Sequence, residues 1–126
     1  LLQEKITPVQ LHNRKAWFRV FYTCGAVIPC WWDDDTHIYK TITRDEVSDA
    51  GLRPLISITR KIREVCKLEF FSTEIAMTSE KKFVVVDYVN DICDMRLQSK
   101  HGDGVPDVVV NEVCKRIARH IKSLLR

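Results

Sequence analysis

The sequence contains no long apolar run: nothing in it approaches the roughly 20 consecutive apolar residues of a membrane-spanning helix, so no membrane partner is expected. It has no internal repeat and no low-complexity segment. No two cysteines are spaced C-x-x-C, and none sits with histidine at zinc-ligand intervals. The five that occur, Cys24, Cys30, Cys66, Cys93 and Cys114, are odd in number and fit a reducing cytoplasmic setting, most of them as small buried hydrophobes. No histidine stands in a local motif that would activate one of them as a nucleophile. Charge of one sign is not collected anywhere: 20 Lys and Arg against 17 Asp and Glu give a net charge of +3, and the basic residues are spread along the chain. A nucleic-acid binder would gather them into a stripe, so nucleic acid is not an expected partner. The chain opens Leu1-Leu2-Gln3-Glu4, without an initiator methionine or a charged-then-apolar leader, and is expected to be cut from a longer protein. With 126 residues, 45% hydrophobic and 29% charged, it can bury one core, as a single domain or one lobe of a larger one.

What the sequence does have is Phe83-Val84-Val85-Val86-Asp87-Tyr88-Val89-Asn90-Asp91, a β-branched and aromatic run that predicts a strand and ends in polar groups. Upstream, Thr73-Glu74-Ile75-Ala76-Met77-Thr78 predicts a partner strand, and Ser79-Glu80-Lys81-Lys82 a hairpin turn. Symmetric pairing about that turn sets Thr78 opposite Phe83, Met77 opposite Val84 and, further down, Glu74 opposite Asp87. Two like charges across a ladder require compensation by a basic side chain, a shared proton or a divalent cation. A structural ion pair and a metal site both meet that need. The amide oxygen of Asn90 near two carboxylates adds to a hard, oxygen-only donor set of the kind magnesium accepts.

In chain order, residues 1–6 alternate weakly and stop before Thr7-Pro8, as an edge strand or a linker. Residues 10–15 are a polar loop, residues 16–23 a strand, Cys24-Gly25 its turn and residues 26–32 the returning strand, with Pro29 at an edge or bulge. Asp33-Asp34-Asp35 is a solvated turn. On the first of these strands Trp17, Arg19, Phe21 and Thr23 share a face, which leaves Arg19 either stacked on rings and paired with a carboxylate or free to meet a phosphate. Thr43-Arg44-Asp45-Glu46 has capping-box spacing, and Gly51 ends that short helix. From Arg53-Pro54 a second helix carries Leu55, Ile58, Ile62, Val65 and Cys66 on its apolar face. Residues 93–104 form a polar loop at the mouth of whatever the acids line. A last helix opens at Pro106-Asp107, with Val110, Val113, Cys114, Ile117, Ala118, Ile121 and Leu125 as its stripe and a basic outer face.

Strand, hairpin, helix, hairpin, helix is an α+β order: an antiparallel β-sheet with helices packed on one side. In that order the chain resembles the C-terminal half of an ATP-grasp domain, the nucleotide-binding fold of carboxylate-amine ligases. Leu2-Gln3-Glu4-Lys5-Ile6 resembles the hinge strand that holds adenine, Phe18-Arg19-Val20 the strand with a phosphate-facing arginine, and Glu74 with the segment from Asp87 to Asn90 the magnesium positions. The resemblance implies ATP and Mg2+ as cofactors. Gln3, Glu4, Lys5 and Ile6 would meet adenine and ribose, Arg19 the transferred phosphoryl group, and Glu74, Asp87 and Asn90 the metal. It implies a ligase that activates an unknown small carboxylate as an acyl phosphate for capture by an amine or thiol. Arg96, Lys100 and His101 in the mouth loop are candidates for the acceptor.

The pattern departs from the family at Trp17 and Tyr88, where acids are usual, and the Gly-rich loop and lysines of the N-terminal half are not in this chain. The fragment is therefore expected to be inactive alone. An unbroken strand would also send Asp87 and Asn90 to opposite faces, so a shared metal requires a bulge near Tyr88. A small-molecule kinase of the same fold and a non-catalytic lobe binding a protein through the last helix are the alternatives. Self-association into a homo-oligomer is left open.

Overall fold

The computed structural model describes residues 2–126, so that of the expected edge strand or linker at residues 1–6 only Leu1 lies outside the described residues. Residues 2–9 form no strand. They are an extended arm pinned where the Val9 N–H donates to the Met77 carbonyl, one residue after Pro8. The polar loop expected at residues 10–15 is instead a small ladder between β1 (Gln10–Leu11) and β2 (Arg14–Lys15). His12 and Asn13 there both take positive φ, 50° and 60°, the geometry of a two-residue hairpin turn.

The aromatic run forms β3 (Trp17–Thr23), which turns through Cys24-Gly25 into β4 (Ala26–Trp32). A further edge strand, β5 (Tyr39–Thr41), follows the aspartate turn. Thr43 caps α1 (Arg44–Asp49) with the expected reciprocal pair: the Glu46 N–H donates to Thr43 Oγ1 at 3.2 Å and the Thr43 N–H to Glu46 Oε2 at 2.8 Å. Gly51, at φ 66°, turns the chain into α2 (Arg53–Cys66). Then come β6 (Phe70–Met77), β7 (Phe83–Asn90) and, after a long loop, α3 (Asp107–Leu124).

These strands make one five-stranded antiparallel sheet in the order β5-β4-β3-β6-β7, so the chain is α+β. The α1 and α2 layer covers one side, where Phe18, Val20, Trp31 and Ile75 pack with Leu52 and Leu55. The first turns of α3 bring Val109, Val110 and Val113 to a separate cluster with Phe21 and Cys30. By alternation along β3, Phe21 shares its side of the sheet with Trp17 and Arg19. Burial pushes the Cys30 thiol up to about 12, which keeps it a neutral core residue.

Both helix faces differ in part from the sequence expectation. On α2 the buried positions are Leu55 and Thr59, whose hydroxyl donates to the Leu55 carbonyl at 2.7 Å, whereas Val65 is 85% exposed. At 3.6 residues per turn Thr59 lies roughly 40° from the direction of Leu55 and Val65 roughly 80° from it, so the hydroxyl is buried and the valine is not. On α3 the packed face runs only from Val109 to Ile117: Cys114, Ala118, Ile121 and Leu125, expected in the stripe, are exposed.

Replacing Leu55 by Ala is expected to cost about 2–5 kcal/mol, and replacing Val65 by Ala less than about 0.5 kcal/mol, in urea unfolding. Equal losses would mean that the buried face of α2 has been misassigned.

Candidate functional site

Strand β6 supplies the centre of the site. Glu74 lies directly opposite Arg19 on β3 and opposite Asp87 on β7, and residues opposite one another in an antiparallel ladder point to the same face. The pairing of Glu74 with Asp87 is as expected, but the path to it is not. The turn leaves Met77 opposite Phe83, Ala76 opposite Val84 and Ile75 opposite Val85, one step from the symmetric register. Five residues, 78–82, make that turn around a short 3-10 segment, Ser79–Lys81, with the Thr78 N–H donating to the Lys82 carbonyl at 2.8 Å.

Two register shifts then follow in β7. Between Val85 and Asp87 the strand advances two residues while β6 advances one, so Val86 is extra and Glu74 meets Asp87. Between Asp87 and Asn90 it advances three while β6 advances two, and Asn90 meets Ser72. Ser72 and Glu74 share a face of β6, so Asp87 and Asn90 come to the same side. This is the bulge near Tyr88 that a common site requires. The Thr73 hydroxyl donates to the Asp87 carbonyl at 2.9 Å and holds the irregular backbone.

Glu74 is 13% exposed and both of its oxygens are engaged: Trp17 Nε1 donates to Oε1 at 2.7 Å and Arg19 Nη2 to Oε2 at 3.0 Å. Arg19, equally buried, stacks over Trp32 at 4.5 Å from the ring centroid, and His37 stacks on the same indole at 5.1 Å. The stacked and paired arginine of the sequence reading is therefore present. It has spent one donor on Glu74, and its Nε is buried without a partner. Asp87 is exposed and forms no ion pair among the described residues. Asp87 and Asn90 thus stand on the face of Glu74, whose two oxygens already accept from Trp17 and Arg19.

Beside this row lies a cavity of about 350 Å3. Arg19, Ser72 and Asn90 face it from the sheet, Trp32 from β4, His37 from the aspartate turn, Tyr39 from β5, and Asp94, Arg96 and Asp103 from the mouth loop. Arg96 Nη2 reaches Asp94 at 2.7 Å and Asp103 at 3.0 Å, and its hydrogen bonds, aided by its charge, hold both carboxyls below their ordinary range. The loop is tied down by Gln98 Nε2, which donates to the Tyr39 carbonyl at 2.9 Å, and by the bridge between Leu97 and Val105. Gly104 makes that closure sterically feasible, since a Cβ there would lie 2.5 Å from the Arg96 carbonyl oxygen. Lys100 and His101, expected here with Arg96, sit in an exposed turn and do not line the cavity.

The arm contributes elsewhere. Glu4, Lys5 and Ile6 bound a cleft of about 640 Å3 against Val84, Val85 and Tyr88 of β7, whereas Gln3 does not line it. The three adjacent aspartates form the expected turn: Asp33 Oδ1 accepts from the Asp35 and Thr36 N–H groups, and Lys15 bridges Asp34 and Asp35. Their carboxylates converge, but they belong to an exposed loop and are not a metal centre on that account.

Trp17, Trp32, His37, Ser72, Asp94 and Asp103 were not among the expected site residues. Period two along β3 already places Trp17 on the face of Arg19. Nothing local in the sequence announces Trp32 or His37, which arrive through pairing and the aspartate turn. Comparison with family models, curated proteins and solved structures gives no match.

Arg19→Ala should cost about 3–5 kcal/mol, because it leaves a buried carboxylate uncompensated, while Asp87→Asn should change stability by less than about 0.5 kcal/mol. Denaturant midpoints decide this, and a neutral Arg19→Ala would refute the dependence of Glu74 on its arginine. At the loop, Gly104→Ala should lower stability by about 1–3 kcal/mol through its clash with backbone. Gly102→Ala, with nothing within 4 Å of the new Cβ, serves as the control and should be nearly neutral in the same melts.

Proposed function

We propose that the chain is the ATP- and magnesium-binding lobe of an ATP-grasp ligase that joins a small carboxylate to an amine or thiol through an acyl phosphate. The observation that supports this reading is the double register shift in β7. Each bulge sacrifices ladder pairing, and together they bring Asp87 and Asn90 to the face of Glu74 and Arg19, where neither contributes to a core. A sheet irregular in this way is better accounted for by a ligand than by packing.

In this reading Glu74, Asp87 and Asn90 would hold the cation, which would supply neutralisation of phosphate charge. Trp17 and Arg19 orient the Glu74 carboxylate, so that little ordering remains when a ligand arrives. Arg19 keeps unspent N–H donors beside the row and offsets charge on the transferred phosphoryl group. The cleft between the arm and β7, with Ile6, Val84 and Tyr88 along it, suits a flat base, and Glu4 and Lys5 offer polar contacts at its edge. Gln3 has no part in it.

A second reading, a lobe that docks a protein through α3, is favoured by one observation: Ile121, Leu124 and Leu125 are 51%, 70% and 81% exposed on its last turns.

The test is a titration of the 126-residue chain with Mn2+, a paramagnetic substitute for Mg2+, followed by NMR line broadening with and without ATP. Broadening should centre on Glu74, Asp87 and Asn90, strengthen with ATP and vanish in Asp87→Asn without loss of fold. Broadening confined to Asp33, Asp34 and Asp35, or unchanged by ATP, rejects the proposal.

A further inference from the structure

The last turns of α3 extend past the sheet. The packed face ends at Ile117, and from there to Leu124 the helix runs on for about 10 Å at 1.5 Å per residue. So short a helix would not hold its shape alone; it is helical as the extension of a packed first half. Counted at 3.6 residues per turn from Val113, which packs with Phe21 and Cys30, Leu124 lies at about 20° and Ile121 at about 80°. Lys122, Lys115 and Arg119 lie at about 180°, 200° and 240°. The exposed apolar side of the overhang is therefore the side turned toward the sheet, and the basic side is its outer flank and back.

Charge on this segment is of one sign. After Glu112 the chain carries five basic residues and no acid up to Arg126. Arg116 is paired with Glu112 at 2.7 Å, whereas Lys115, Arg119, Lys122 and Arg126 form no ion pair among the described residues. Lys122, in the last turn, answers the negative end of the helix dipole. Lys115 and Arg119 lie too far from that end for the same account to cover them.

A second copy of the chain is a poor occupant of the stripe, because two overhangs laid together set basic flank against basic flank with no acid to answer either. A flat bilayer approaching from the apolar side meets the body of the sheet. A helix, about 10 Å across, enters the angle between overhang and sheet. From this arrangement we infer that the end of α3 docks against an acidic amphipathic helix of a protein partner. Ile121, Leu124 and Leu125 lie on that helix's apolar stripe, and Lys115 and Lys122 meet carboxylates along its edge. The partner's acidity presupposes the second reading, that α3 docks a protein, and is independent of the ligase reading.

Fluorescence anisotropy of a labelled, Ala-rich helical peptide with one stripe of Leu flanked by Glu tests this against the 126-residue chain. Versions with Gln or Lys in place of Glu are the comparisons. The Glu peptide should bind with a Kd below about 1 mM, about tenfold or more tighter than the Gln peptide, and should weaken as salt is raised. In the double variant Lys115→Glu, Lys122→Glu the preference should pass to the Lys peptide. In Ile121→Ser, Leu124→Ser all binding should be lost, and both variants should keep the parent's thermal midpoint to within about 2 °C. Equal binding of the three peptides overturns the acidic partner but leaves α3 a docking surface; no binding of any of them overturns the docking reading as well. Tighter association with phosphatidylserine-containing vesicles than with the Glu peptide overturns the inference in favour of a bilayer. A dimer in sedimentation that Ile121→Ser, Leu124→Ser dissolves overturns it in favour of a second copy.

Discussion

A carboxylate in the middle of a sheet is the constraint from which most of this structure follows. Glu74 is flanked by strands on both sides and is 13% exposed, so water cannot stabilise its charge. Trp17 and Arg19 do so instead, and each creates a further requirement. The indole must lie flat enough on β3 to aim Nε1 across to β6. The guanidinium must itself be covered, which Trp32 accomplishes from β4. His37 in turn covers Trp32 from a left-handed position, φ 62°, in the aspartate turn that Lys15 clamps from β2. One buried charge thereby explains why a hairpin and a turn near the start of the chain are ordered by contacts with the centre of the sheet.

The sheet is uneven in what it protects. Its β3 and β6 strands are paired on both sides and nearly fully buried, while β7 is an edge strand interrupted twice. Bulges at an edge twist it away from further pairing, which guards against association of exposed strands. Here they serve a second purpose by turning Asp87 and Asn90 to the same side. The doubly paired strand holds the buried acid Glu74, and the irregular edge strand holds the exposed Asp87 and the half-buried Asn90.

Much of the fold was legible because its signals are local. The aromatic strand, the capping box at Thr43, the helix after Pro54 and the helix after Pro106 each depend on neighbouring residues, and each is where the sequence indicates. Facing of Glu74 and Asp87 was legible too, though through two departures that cancel: the turn is one residue longer in effect than symmetric pairing assumes, and Val86 restores the step. Bulges have no dependable sequence signature when the strand lacks glycine, so the shared side of Asp87 and Asn90 was a condition rather than a reading. Val65 and the end of α3 misled because periodicity gives a direction on a helix but not where the neighbouring layer stops. The wall of Trp32, His37 and Tyr39 depends on strand pairing between segments that no spacing rule connects.

The bulges of β7 have a consequence for how the chain can change. Tyr88 is 66% exposed, and its identity matters little to the side on which Asn90 emerges. How the residues between Asp87 and Asn90 pair with β6 matters a great deal. Removing one of them would return the strand to strict alternation and still leave Asn90 on the side of Asp87, because residues two apart in a strand share a side; keeping both but pairing them regularly with β6 would carry Asn90 to the opposite side. The side on which Asn90 emerges is thus set by the bulge that absorbs one residue, and a deletion of that extra residue removes the bulge without moving the side chain.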